Sequence, residues 1–272
     1  MPSENDASTI TTGMPATPDR RTRKRDARRD HLLDLAAEIV DQAGIDGLTM
    51  AALATAGDYA TASLYTYFSS RSALLAALQQ RALLLLHDLA EERLRKWQDA
   101  LFEDALSQNA QLIAKPQLTD RVASLAMLWA FSDLFLSAPQ THPREFRLQQ
   151  QLLVNAGAEN TTDAADVVPV AMLVLDVPRR LLAAATATGA LHAQPLTSNP
   201  LEEVLEGSML RTFAWVLGLN GALMADGLST GLPTTGSALG DVLTQALLQG
   251  WGASREELSA AREVAETLRQ QP

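Results

Sequence analysis

Apolar residues recur along this chain with a helical period, and the two-residue alternation of strands is nowhere sustained. Leu32, Leu35 with Ala36, Ile39 and Ala43 fall on one stripe and predict an amphipathic helix from about Arg28. Gly44 predicts its end, because glycine enters the left-handed region without a Cβ penalty. Thr49 stands directly ahead of Met50-Ala51-Ala52-Leu53-Ala54 and suits an N-cap, its hydroxyl accepting an orphan backbone N–H. Gly57-Asp58-Tyr59 reads as a turn, followed by a short helix from about Thr61 to Thr66. After Tyr67-Phe68-Ser69-Ser70 a long helix begins, with Leu74, Leu78, Ala82, Leu85, Leu89, Arg93 and Trp97 on one stripe.

Further helices are expected at about 118–137, 143–156, 163–191, 200–225, 237–250 and 254–270. Pro178 should kink the third of these, lacking an N–H and crowding the preceding turn. Ser254 with Glu257 three residues on is a capping box. The fold class is therefore all-α: a three-helix N-terminal domain with a helix-turn-helix, then a larger helical bundle. The expected divisions are a disordered leader and basic arm over 1–26, the helix-turn-helix domain over 27–86 with the motif at about 49–68, and the bundle over 87–272.

Composition narrows the chemistry. There is no Cys, which removes disulfides, thiol nucleophiles and zinc–thiolate sites together. The net charge of −10 is unevenly spread. Residues 1–96 hold 12 Lys/Arg against 13 Asp/Glu, whereas the remainder holds 10 against 19. Within the near-neutral part, Arg20, Arg21, Arg23, Lys24, Arg25, Arg28 and Arg29 form one basic run, which points to a polyanion partner at that end or to a solvated tail. Residues 1–19 lack the apolar core of a signal peptide, and the longest apolar run, around Val167–Val177, is interrupted by Pro169 and Asp176. No membrane partner and a cytoplasmic location are expected.

Three short helices in about 45 residues are the size of a DNA-binding helix-turn-helix. Its third helix must expose side chains slim enough to enter a major groove, and Thr61, Ala62, Ser63, Tyr65 and Thr66 have that character. Leu53, Ala54 and Leu64 should turn inward against Ile39 and Val40. The run Ser63-Leu64-Tyr65-Thr66-Tyr67-Phe68-Ser69-Ser70-Arg71-Ser72-Ala73-Leu74-Leu75, with Leu53-Ala54 and the Gly44 to Thr49 spacing, resembles the N-terminal domain of the TetR (tetracycline-repressor-like) family. Two positions depart from that family's pattern. Asp58 falls where the turn glycine belongs, and Ala60 falls where Ser or Thr caps the recognition helix.

The resemblance implies phosphate contacts from Thr49, Tyr65, Tyr67 and Arg71, and base-facing positions at Thr61, Ala62 and Ser63. Arg20, Arg21, Arg23, Lys24, Arg25 and Arg28 would add contacts to the backbone or a minor groove. It also implies a double-stranded DNA operator, a homodimer and a small effector bound by the C-terminal region. The apolar faces near 200–225 and 237–270 are candidates for self-association, or equally for the core of one subunit. Met127, Trp129, Phe131, Phe135 and Met172 are candidates for an apolar effector pocket, with Asp133, His142 or Arg147 as a polar anchor; plain core is the competing reading.

Enzymatic readings find little support. His31, His87, His142 and His192 are scattered without metal-ligand spacing, and no cofactor or metal is expected. The glycines from Gly227 to Gly236 lack the Lys-Ser/Thr pair of a phosphate cradle. The expected function is a ligand-responsive DNA-binding regulator, a repressor released by its effector. The alternative is an all-α protein–protein adaptor with a degenerate helix-turn-helix.

Overall fold

The computed structural model describes residues 20–107, 118–155, 161–193, 207–228 and 235–270, which form ten α-helices and no strand among them. The expected leader over 1–19 lies outside the described residues, as do 200–206. The chain divides into two units, Met1–Ser69 and Ser70–Pro272. That division falls ahead of the expected boundary near residue 86, because the helix beginning at Arg71 runs unbroken to Ser107.

In the first unit α1 spans Arg20–Gly47, α2 Met50–Gly57 and α3 Thr61–Leu64. The basic run expected as an arm is helical from Arg20, because Arg and Lys are good helix formers and no Gly or Pro intervenes before Gly44. Gly44 breaks the regular helix at φ 71°, as its position predicts. Leu32, Leu33, Ala36, Ala37 and Val40 of α1 are buried, as are Leu53 and Ala54 of α2 and Leu64 of α3. Ile39 is only half-buried. Thr49 caps α2, its Oγ1 accepting Ala52 N–H at 3.0 Å. Asp58 ends that helix in the left-handed region at φ 56° and ψ 45°, the single non-glycine residue with positive φ among the described residues. Its short polar side chain makes it one of the few residues that can stand in for the glycine there.

The second unit contains α4 (Arg71–Ser107), α5 (Asp120–Thr141), α6 (Pro143–Asn155), α7 (Thr161–Ala187), α8 (Gly207–Leu228), α9 (Gly236–Gly250) and α10 (Arg255–Arg269). α5 is its axis, with Leu125, Ala126, Leu128 and Ala130 fully buried. α10 and α9 pack on one side of it, and α4, α6 and α7 gather on others. By length and composition α5 could cross a membrane, at a mean hydropathy of 1.4, but 67% of that stretch is buried inside the unit. Its apolarity is that of a core helix. The capping box forms as expected: Ser254 Oγ accepts Glu257 N–H at 3.2 Å while Glu257 takes the Ser254 N–H at 3.4 Å. Glu257 also receives Arg121 of α5 through Nε at 2.5 Å and Nη2 at 3.3 Å, a two-pronged tie between α10 and α5.

Candidate nucleic-acid interface and ligand cavity

The exposed side of the first unit is built from short polar side chains. Leu64 and Phe68 turn inward, which leaves Thr61, Ala62, Ser63, Tyr65 and Thr66 in solvent; Tyr67 is half-buried. Tyr65 is 52% exposed, which leaves its ring accessible beside Thr66. Ala60 supplies no side-chain cap to α3, so the N–H groups at the start of this segment have no side-chain acceptor from it. Thr49 is exposed as well; its oxygen is taken by Ala52 N–H, but its hydroxyl proton remains available to an acceptor.

The basic run and the recognition segment meet. Arg25 Nη2 donates to Thr66 O at 3.2 Å, and the Arg29 guanidinium lies 5.3 Å from the centre of the Phe68 ring. Arg20, Arg21, Arg23, Lys24 and Arg28 are exposed on the same helix. Arg25 and Arg29 thus brace the end of the segment, a role legible in their i,i+4 spacing only once Thr66 and Phe68 are in place. Arg71, the last of the expected contacts, opens α4 in the second unit and is half-buried.

The second unit encloses a cavity of about 490 Å³, a size suited to a small organic molecule. Its wall is mostly aliphatic and aromatic, with Trp97 from α4, Phe131 and Phe135 from α5, Phe146 from α6, Pro178 from α7 and Phe213 from α8. Phe135 meets Phe146 edge-on at 5.8 Å and Phe131 at 6.4 Å. Of the residues expected to line a pocket, Phe131, Asp133, Phe135 and His142 do so. Met127, Trp129 and Met172 do not. Met127 lies one turn further up α5, buried among other core residues. Trp129 faces the other side of α5, where the Arg262 guanidinium stacks on its ring at 4.4 Å. Met172 is 40% exposed, about 100° around α7 from the lining Ala171. Arg147 is exposed and outside the lining.

Sequence reasoning missed His87, Arg93, Gln149 and Arg269 in this wall. The signal for His87 was present, since it replaces an apolar residue in the column Leu83, Ala90, Leu94 of α4. Asp133 is almost wholly buried, and Arg269 Nε stands 3.3 Å from its Oδ2 without the alignment of a hydrogen bond. Burial raises the Asp133 carboxyl above its ordinary pKa, against the lowering influence of Arg269 and Arg262. Behind the α5 wall Ser132 Oγ and Thr244 Oγ1 share a hydrogen bond of 2.9 Å, and Trp215 Nε1 donates to the same Thr244 oxygen at 3.1 Å. All three residues are fully buried and join α5, α9 and α8.

One outward face of the unit is apolar. Leu210, Leu217 and Met224 repeat every seven residues on α8 and are 42%, 50% and 53% exposed, Leu217 also bordering the cavity, and Val242 of α9 is 66% exposed. α10, grouped with these segments in the expectation over 237–270, is not part of it. Its Leu258, Ala261, Ala265 and Leu268 are buried against the unit's own core, and its other face is polar. Among the described residues no group of three His, Cys, Asp or Glu is disposed to hold a metal.

Residues 32–78 match the model of the bacterial regulatory proteins of the tetR family. The matched stretch runs from Leu32 of α1 into the start of α4, and over it the chain resembles that family. That likeness supports a DNA-binding transcription regulator. No curated protein gives a significant match. Among solved structures, a protein of unknown function from Rhodococcus sp. RHA1 is 21% identical with a TM-score of 0.54, covering 82% of this chain and 94% of its own. RolR in complex with resorcinol is 18% identical with a TM-score of 0.53, covering 93% and 97%. A protein described as a TetR-family transcriptional regulator from Mesorhizobium loti is 14% identical with a TM-score of 0.52, covering 84% and 99%. At these identities the likeness is one of fold.

Proposed function

We propose that this protein is a cytoplasmic homodimeric repressor of the TetR family whose DNA binding is released by a small, mostly apolar effector. The observation that carries the reading is the cavity of about 490 Å³, walled by apolar and aromatic side chains from five helices, with Arg269 of α10 at its edge. α4 contributes to that wall and follows Ser70 directly in sequence, so a shift of α4 on ligand binding is passed along the chain toward the recognition segment. A ligand releases DNA only through differential affinity for two such arrangements. RolR, of similar fold, was solved with resorcinol, a small aromatic ligand.

DNA is read by Thr61, Ala62 and Ser63, with phosphates taken by Thr49, Tyr65, Tyr67, Arg71 and the exposed basic residues of α1. A single segment this short reads too few base pairs, so two copies are required on a pseudo-palindrome. The apolar stripe of Leu210, Leu217 and Met224 supports self-association through α8 and α9. The Arg25–Thr66 contact, which brings basic charge to the recognition segment, favours this reading over a protein adaptor.

The test is a footprint on the gene's own upstream region, repeated across a salt series and with candidate effectors. Protection should cover two half-sites and weaken steeply with salt. Absence of protection at any salt concentration would overturn the DNA reading. Protection that no effector alters would overturn the gating alone.

A further inference from the structure

The cavity is apolar but not uniformly so, and its polar atoms share one character. Gln149 of α6 and Asp133 of α5 are each more than nine-tenths buried, and both line it. Gln149 Oε1, Asp133 Oδ2 and, from α4, His87 Nδ1 have no hydrogen-bond partner among the described residues. Buried polar atoms are nearly always satisfied, so three unmet ones around one cavity mark where a guest's polar groups go. A carboxylate and an amide oxygen only accept, and an imidazole nitrogen accepts in one tautomer. The guest must therefore donate.

Charge narrows the class further. Arg269 stands at ion-pair distance from Asp133, and Arg93 adds a second guanidinium to the lining. A cationic guest would meet both arginines without a free carboxylate to balance it. An anionic guest would bring more acceptors to atoms that already lack donors. Lining positions from Asp133 to Thr141 on α5 span about 12 Å of helix, so the cavity is long enough for polar groups to be spread along it.

We propose that the effector is an uncharged, largely aromatic or aliphatic molecule carrying at least two hydroxyl or N–H donors, which Asp133, Gln149 and His87 accept. This rests on the reading of the cavity as the effector site. Each donor that finds a buried acceptor adds specificity, because a guest lacking it leaves that acceptor unpaired.

The experiment is calorimetric titration of the full-length protein with four naphthalene probes: the unsubstituted hydrocarbon, 1,5-dihydroxynaphthalene, 1,5-dimethoxynaphthalene and 1-naphthoate. The diol should bind at least about tenfold more tightly than each of the other three, the equivalent of one well-made hydrogen bond. Gln149→Leu and His87→Phe should lower the preference of diol over dimethyl ether toward unity while leaving naphthalene binding in place. Equal affinity for naphthalene and the diol, or preference retained in both variants, would overturn the donor requirement and leave the effector cavity standing. Tightest binding by the naphthoate would overturn it in favour of an anion held by Arg93. If none of the four probes binds, the effector-site reading falls together with the inference.

Discussion

Thr49 carries two separable tasks, and three substitutions pull them apart. Its oxygen caps α2 by accepting Ala52 N–H at 3.0 Å, and its exposed hydroxyl proton is free to donate to a DNA phosphate. Thr49→Ala removes both. Loss of the cap should cost about 1 kcal/mol of folding stability. Loss of the phosphate bond should cost about 1–1.5 kcal/mol per subunit, hence roughly 2–3 kcal/mol for a dimer, or about 30–150-fold in operator affinity. Thr49→Ser should preserve both tasks. Thr49→Asp should keep the cap, since a carboxylate accepts the same N–H and suits a helix N-terminus. It cannot donate when ionised and sets a charge against the phosphate, so its operator affinity should fall below that of the alanine variant. Stability is read by urea unfolding followed by circular dichroism, and affinity by fluorescence anisotropy on the footprinted duplex at fixed salt. Operator affinity within twofold of the parent for Thr49→Asp would refute the phosphate contact. Equal loss of stability in the Asp and Ala variants would refute the cap.

Further expectations concern the second unit. Met224→Glu, placing charge on the exposed stripe of α8, should convert a micromolar dimer to monomer in sedimentation velocity without lowering helical content; an unchanged dimer would move the interface elsewhere. The Arg121 hydrogen bond holds the Glu257 carboxyl down from 4.5 to about 2, so the pair stabilises the fold above about pH 4.5 and loses that contribution as pH falls toward 2. Glu257→Gln keeps the capping geometry but not the charge, so the stability gap to the parent should be constant above pH 5 and close below it; a gap that persists at pH 2 would contradict the assignment. Gly252 has φ +113°, and a Cβ there would meet the His192 ring at 2.6–2.7 Å. Gly252→Ala should therefore cost roughly 2–4 kcal/mol in denaturant unfolding, and a loss below 1 kcal/mol would show that the turn can rearrange.

Legibility from sequence differed between the two units for a physical reason. In the first, local rules agree with one another: Gly44 ends a helix, Thr49 caps the next, and Leu53, Leu64 and Val40 share one inward face. Even Asp58 in the turn was readable, because few other residues tolerate φ 56°. In the second, periodicity tells which side chains face inward but not where inward side chains fail to fill space. Trp129 and Phe131 are both bulky and buried, yet one is covered by Arg262 and the other lines the cavity. The same ambiguity grouped α10 with the self-association segments. Its apolar stripe is plain in the sequence, but the partner of that stripe, α5, is more than a hundred residues away.

The buried Ser132–Thr244–Trp215 bonds divide the cavity's surroundings mechanically. Directional hydrogen bonds in a dry interior resist sliding, so α5, α8 and α9 hold a fixed register behind Phe131. The opposite wall, where α4 meets α6 and α7, is apolar at Leu83, Leu86, Ala171 and Val174, and the ion pair that ties Arg180 of α7 to Glu91 of α4 is partly exposed and so holds less firmly than a bond in a dry interior. A guest that needs room therefore works like a wedge between an anvil and a spring. The displacement goes to the compliant side, and α4, which emerges from Ser70, is the lever on that side.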